Sequence, residues 1–282
     1  MNIHQTGVLS RKGVVSLGAC LAVSSMLLLP GRSVAQIVNM TDGGSTASVD
    51  LLSGAGMYNW SVLGQNQLMQ QWFWYRTDGG NAQPINTIGL AGYQQNANNT
   101  LDVFYQNSQL SIKIVYALTG TGSGSADMLE NIYAVNLTGS PINLNLYEYS
   151  YFDLLQSGNN SVQIFKDSTT GKYNFVQQTS GSTAIQEGIV SPYADYAEAA
   201  AYNQTLNELN TQSGLILNDT ISAGPGAVTW AFQWDKTIAA NGGVDIFKDK
   251  TLSIQMVPEP PTVAIIALGA GALGLALRRK LS

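Results

Sequence analysis

Cysteine and histidine are almost missing from this chain of 282 residues: there is one of each, Cys20 and His4, both near the N-terminus. If the N-terminal stretch leaves on export, the remainder holds neither. A disulfide, a thiol nucleophile, a Ser-His-Asp triad and a His-ligated zinc are then excluded from it. Charge is scarce too, at 11% of residues. Long apolar runs occur only at the two ends. What is plentiful is Gly, Asn, Ser and Thr, with short alternating apolar stretches between them.

The two ends read as address labels. Arg11 and Lys12 precede an apolar run over 14–29, Pro30 breaks it, and Ser33-Val34-Ala35 supplies small residues where a signal peptidase needs them. This predicts a secretory signal peptide over 1–35, cut between Ala35 and Gln36 by way of the general secretion machinery. Leu17-Gly18-Ala19-Cys20 has the form of a lipoprotein box, but the apolar run continues well past Cys20. At the other end come Val257-Pro258-Glu259-Pro260-Pro261, an uncharged stretch over 262–277, and Arg278-Arg279-Lys280. As a helix that stretch rises only ~24 Å against a hydrocarbon core of ~30 Å, so a short transmembrane helix is expected, with its cations in the cytoplasm.

The order of these three pieces, with the Pro258-Glu259-Pro260 motif first and the basic stop Arg278, Arg279 and Lys280 last, resembles the PEP-CTERM sorting signal of Gram-negative bacteria. The resemblance covers about 257–282. It implies recognition by an exosortase, a transient tether in the inner membrane, release to the cell surface or outside, and an association with exopolysaccharide and biofilm. It is silent on the body between.

The body, 36–256, is acidic. Removing Arg11, Lys12 and Arg32 with the leader, and Glu259, Arg278, Arg279 and Lys280 with the tail, takes the net charge from −5 to −10. That excludes nucleic acid as a partner, because such binding rests on neutralising phosphates. Period-two alternation at Leu101/Val103/Tyr105, Leu110/Ile112/Ile114, Ile142/Leu144/Leu146, Val228 to Trp234 and Leu252/Ile254, with Gly/Asn/Asp clusters between, predicts an all-β fold. The number of runs predicts a large two-sheet antiparallel β-sandwich. Ser191-Pro192, then Ala199, Tyr202, Leu206 and Leu209 at helical spacing, predict one helix over about 193–210. Two octads, Val162–Thr169 and Val244–Thr251, agree at six of eight positions and read as strand-to-turn segments of similar shape.

Chemistry has few candidates. A glycosidase needs two carboxylates flanking the bond. Glu148 and Asp153 are the best pair, yet on one flat strand they point to opposite faces. Asp42, Asp245 and Asp249 could at most help hold a structural calcium; no cofactor is expected. Tyr147, Tyr149 and Tyr151 share a face, and Trp72 and Trp74 lie in an aromatic strand. These rings either fill the core or stack on sugar rings. The leading reading is a non-catalytic surface or matrix protein. A carbohydrate-binding module is second, and a carboxylate-based glycan-cleaving enzyme third.

Overall fold

The computed structural model describes residues 35–254; the leader and the sorting tail, with the cleavage site at its very edge, lie outside the described residues. The strands are β1 (Ile37–Asp42), β2 (Ser45–Asp50), β3 (Gly56–Val62), β4 (Gln65–Asn66), β5 (Leu68–Thr77), β6 (Gln83–Pro84), β7 (Leu90–Ala97), β8 (Thr100–Gln106) and β9 (Leu110–Gly120). They continue as β10 (Ser125–Asn136), β11 (Ile142–Phe152), β12 (Asn160–Lys166), β13 (Tyr173–Ser180), β14 (Thr183–Ser191) and β15 (Tyr196–Ala201). Helix α1 (Gln204–Thr211) follows, then β16 (Ser222–Gly226), β17 (Val228–Ile238) and β18 (Gly243–Ser253).

They form two sheets. Sheet I runs β1-β2-β3-β5-β11-β17-β15, with β4 on β3 and β6 on β5. Sheet II runs β16-β12-β13-β14-β18-β10-β9-β8-β7. All pairings are antiparallel except a short contact of β3 with β5. The expected two-sheet sandwich is the observed fold. No helix among the described residues is long and apolar enough to cross a membrane.

Alternation builds the core. Along β9 and β10 every second residue is buried, from Leu110 to Leu118 and from Ala126 to Ala134. With no disulfide to staple it, the interior is filled by large rings: Trp60, Phe73, Phe152, Trp230 and Trp234 are all fully buried. Phe152 stacks on Trp230 at 5.2 Å between centroids, a geometry that adds about 1 kcal/mol to the burial.

The helix departs from expectation. It covers only Gln204–Thr211, while Tyr196–Ala201 is strand β15. The Ala-rich run has ample helix propensity, but β17 offers it a full ladder from Tyr196↔Gln233 to Ala201↔Val228. Tertiary pairing overrides the weak local preference. Asn203, in the left-handed region at φ +67°, then turns the chain into α1.

Candidate functional site

Two places concentrate polar chemistry. The first is the face of sheet I turned away from sheet II. Alternation puts Trp72, Trp74 and Arg76 of β5, Asn145, Tyr147, Tyr149 and Tyr151 of β11, and Gln233 and Asp235 of β17 on that face. The segment 202–221, α1 and the loop after it, lies across it. Trp74 Nε1 donates to Asn210 Oδ1 (3.2 Å), Tyr147 Oη to the Leu215 carbonyl (2.7 Å), and the Leu217 amide to Gln233 Oε1 (2.9 Å). Thr205 Oγ1 donates to Glu198 Oε1 (2.6 Å). Leu209, Leu215 and Leu217 are buried beneath the segment.

Trp74, Tyr147 and Tyr149 are therefore sealed, and Trp72 is buried elsewhere, its indole donating to Asn86 Oδ1 (3.2 Å) and its ring edge-on to Tyr105 of β8; all four are at most 2% exposed. Of the five rings named as stacking candidates only Tyr151 is half-exposed. It packs on Tyr202 with centroids 4.6 Å apart, and Tyr202 is 48% exposed. The alternation that gave the tyrosines one face was correctly read; the covering segment, which a sequence pattern does not reveal, turned most of that face into core. Burial, together with the charge of nearby Asp235 and against that of Arg76, pushes the Tyr147 phenol up to about 12.

The second place is between the sheets. Glu130 of β10, Glu187 of β14, and Lys248 and Lys250 of β18 project from sheet II toward Glu148 of β11, and all five are fully buried. Lys248 Nζ contacts Glu130 Oε2 and lies 2.7 Å from Glu148 Oε1 and 3.3 Å from Glu187 Oε1. Lys250 Nζ lies 3.0 Å from Glu130, 2.7 Å from Glu148 and 3.6 Å from Glu187. Gln71 Nε2 donates to Glu130 (3.3 Å), and the Trp230 indole to Glu187 (3.2 Å). Phe73 sets its ring 5.2 Å from Lys248 Nζ.

Three carboxylates thus meet two ammoniums, all shielded from bulk solvent. Burial raises Glu148, but Lys248 and Lys250 outweigh it and draw the group down to about 2. For Glu187, burial and then the charge of Glu148 push it up to about 7. Burial lowers Lys250, yet the three carboxylates hold it well above the usual lysine range.

Glu148 and Asp153 are not brought together. Glu148 faces the interior cluster, while Asp153, past the end of β11, accepts from Gly158 N (2.9 Å) and Asn160 Nδ2 (3.1 Å) and fastens a turn. Asp42 Oδ2 accepts from Gly120 N (2.8 Å), Asp245 is exposed and Asp249 partly buried. Among the described residues no three His, Cys, Asp or Glu side chains are placed to hold a metal.

The cluster escaped the sequence reading although a signal was present. Ile246-Lys248-Lys250-Leu252, Met128-Glu130-Ile132, Ile185-Glu187-Ile189 and Leu146-Glu148 each put a charge in the apolar phase of an alternating strand. Such a charge must find a buried partner.

Residues 257–280 match the PEP-CTERM protein-sorting motif. No curated protein matches the chain. Among solved structures, the body is similar to a bacterial glucoamylase complexed with acarbose, with a TM-score of 0.56 and 11% identity. That match covers 84% of this chain and 36% of the glucoamylase, so the chain spans little more than a third of that enzyme. It is also similar to a putative aldose 1-epimerase from Escherichia coli K12 (TM-score 0.50, 8% identity, 79% of this chain and 100% of that one). A galactose mutarotase-like protein from Clostridium acetobutylicum gives a TM-score of 0.50 at 11% identity, over 77% of this chain and 95% of that one. At these identities the likeness is one of fold.

Proposed function

We propose that this chain, which carries a PEP-CTERM sorting motif, is an exported surface or matrix protein whose body acts without catalysis in association with extracellular polysaccharide. Its parts are a leader over 1–35, a folded body over 36–256 and a tail over 257–282 that an exosortase recognises while the helix tethers the precursor in the inner membrane. The observation that carries this reading is the sorting motif beginning at residue 257, directly after the last strand ends at Ser253. The non-catalytic part draws support from Glu148, which is sealed and bound to two lysines rather than presented to a substrate. Mass spectrometry of the mature termini tests it: Gln36 at one end and loss of the tail at the other are expected. Replacing Pro258 and Glu259 by Ala should leave the precursor at the inner membrane. An intact tail on the surface-located protein refutes the sorting part.

A carbohydrate-binding role is the second reading. Its support is the surface pair Tyr151–Tyr202, a platform of the kind sugar rings stack on. The body also shares its fold with proteins described as a glucoamylase and an aldose epimerase. Affinity electrophoresis against the producing cell's own polysaccharide, with Tyr151→Ala and Tyr202→Ala, tests it: retardation by the wild type that both variants lose is expected. Equal mobility of all three discards this role.

A further inference from the structure

We infer that Lys248 and Glu130 are set to join through an amide bond between their side chains, cross-linking β18 to β10 inside the sandwich. The two residues are register partners on adjacent strands, and Lys248 Nζ already contacts Glu130 Oε2. Both are sealed from solvent, between the Phe73 ring and the Trp230 indole that binds Glu187. Glu148 reaches in from the facing sheet, its Oε1 2.7 Å from the same nitrogen.

The step balances without a cofactor. Glu187, whose Oε1 lies 3.3 Å from Lys248 Nζ, takes one proton from the ammonium, and the freed lone pair attacks Cδ of Glu130. The resulting tetrahedral carbon expels one Glu130 oxygen, which leaves as water with two of the three ammonium protons. The third stays on the amide nitrogen. One N–C bond forms, one C–O bond breaks, and nothing is oxidised or reduced. Glu187, pushed up to about 7 by burial and by the charge of Glu148, can hold that proton near neutrality and pass it to the departing oxygen, while Glu148, drawn down to about 2, stays ionised and holds the Lys248 nitrogen in place.

The burial of both groups favours the product. In water an ammonium and a carboxylate are stabilised by solvation; here both are cut off from bulk solvent, and holding both charges is costly. Condensation removes one of each sign and leaves Lys250 to balance Glu148, 2.7 Å away. The choice of Lys248 over Lys250 follows from register: Lys248 pairs directly with Glu130 across β18 and β10, whereas Lys250 pairs with Met128.

The test is tryptic mapping of the protein purified from exporting cells and denatured. The expected product is the peptide Ile114–Lys166 joined to Thr237–Lys250, lighter than their sum by one water, with no cleavage after Lys248. Lys248→Arg should restore two separate peptides. Glu130→Gln should still link, lighter by one ammonia, and Glu187→Gln should leave Glu130 and Lys248 intact but unjoined. The wild-type map decides even where a variant fails to fold. Free cleavage after Lys248, a link made by Lys250, or a water lost elsewhere in the chain each overturns the inference.

Discussion

Replacing Lys250 by Met takes one cation out of the sealed cluster and leaves the carboxylates short of a partner. Lys250 lies within 3.6 Å of all three glutamates, and none of the group reaches water. Breaking a buried pair from one side costs about 3–5 kcal/mol, whereas replacing both partners by apolar residues is often neutral or stabilising. Glu187 is the register partner of Lys250 across β14 and β18, so the double variant Lys250→Met/Glu187→Leu restores the charge balance. At about 2–4 °C per kcal/mol for a domain of this size, the single variant should melt roughly 6–20 °C lower, and the double variant should recover most of that. Calorimetry at pH 7 reads both. A single variant as stable as the wild type, or a double no better than the single, would refute the claim that these charges hold one another in place.

Further outcomes follow from the same geometry. Glu187 ordinarily releases its proton near 4.5 and in the fold near 7, so the stability it adds is full below about pH 4.5 and is lost as pH rises through 7. The loss is about 3 kcal/mol at ~1.4 kcal/mol per unit, and Glu187→Gln should flatten that part of a pH–denaturation curve. Leu209→Ala, at a fully buried position of α1, should cost roughly 2–5 kcal/mol and expose Trp74 to acrylamide quenching; unchanged quenching would show that α1 does not seal that face. Gly56→Ala should cost several-fold more than Gly64→Ala. Both glycines have positive φ, but a Cβ at Gly56 runs into the Trp72 ring and the Gln71 carbonyl, while Gly64 has open space around it. Strain alone at Gly64 is worth about 1–2 kcal/mol, and urea titrations of the two variants check the ratio.

Period-two alternation made the sheets legible because each strand has one packed face, and β8, β9, β11 and β17 fall where the pattern placed them. The helix was misplaced because Ala197 and Ala199 satisfy both a helix and a buried edge strand, and only β17 decides between them. The paired octads show the same limit. In the first, β12 bulges at Phe165/Lys166 and turns at Asp167, whose carboxylate binds Thr170. In the second, the chain runs straight on to Ser253. The shared Ile-Phe-Lys-Asp thus leaves Lys166 exposed beside Tyr173 and Lys248 at the centre of the molecule. The polar clusters were the least legible part, since their members come from strands far apart along the chain.

The final strand is not an edge. β18 lies between β14 and β10 in the middle of sheet II, so until residues 243–253 have emerged that sheet exists only as two halves, each with a bare hydrogen-bonding rim. Threaded outward from its N-terminus, the body cannot close until residues 243–253 have crossed, and such long-range closure is slow. By then the next residues through are the sorting signal itself, which makes completion of the body and arrival of the tail nearly simultaneous.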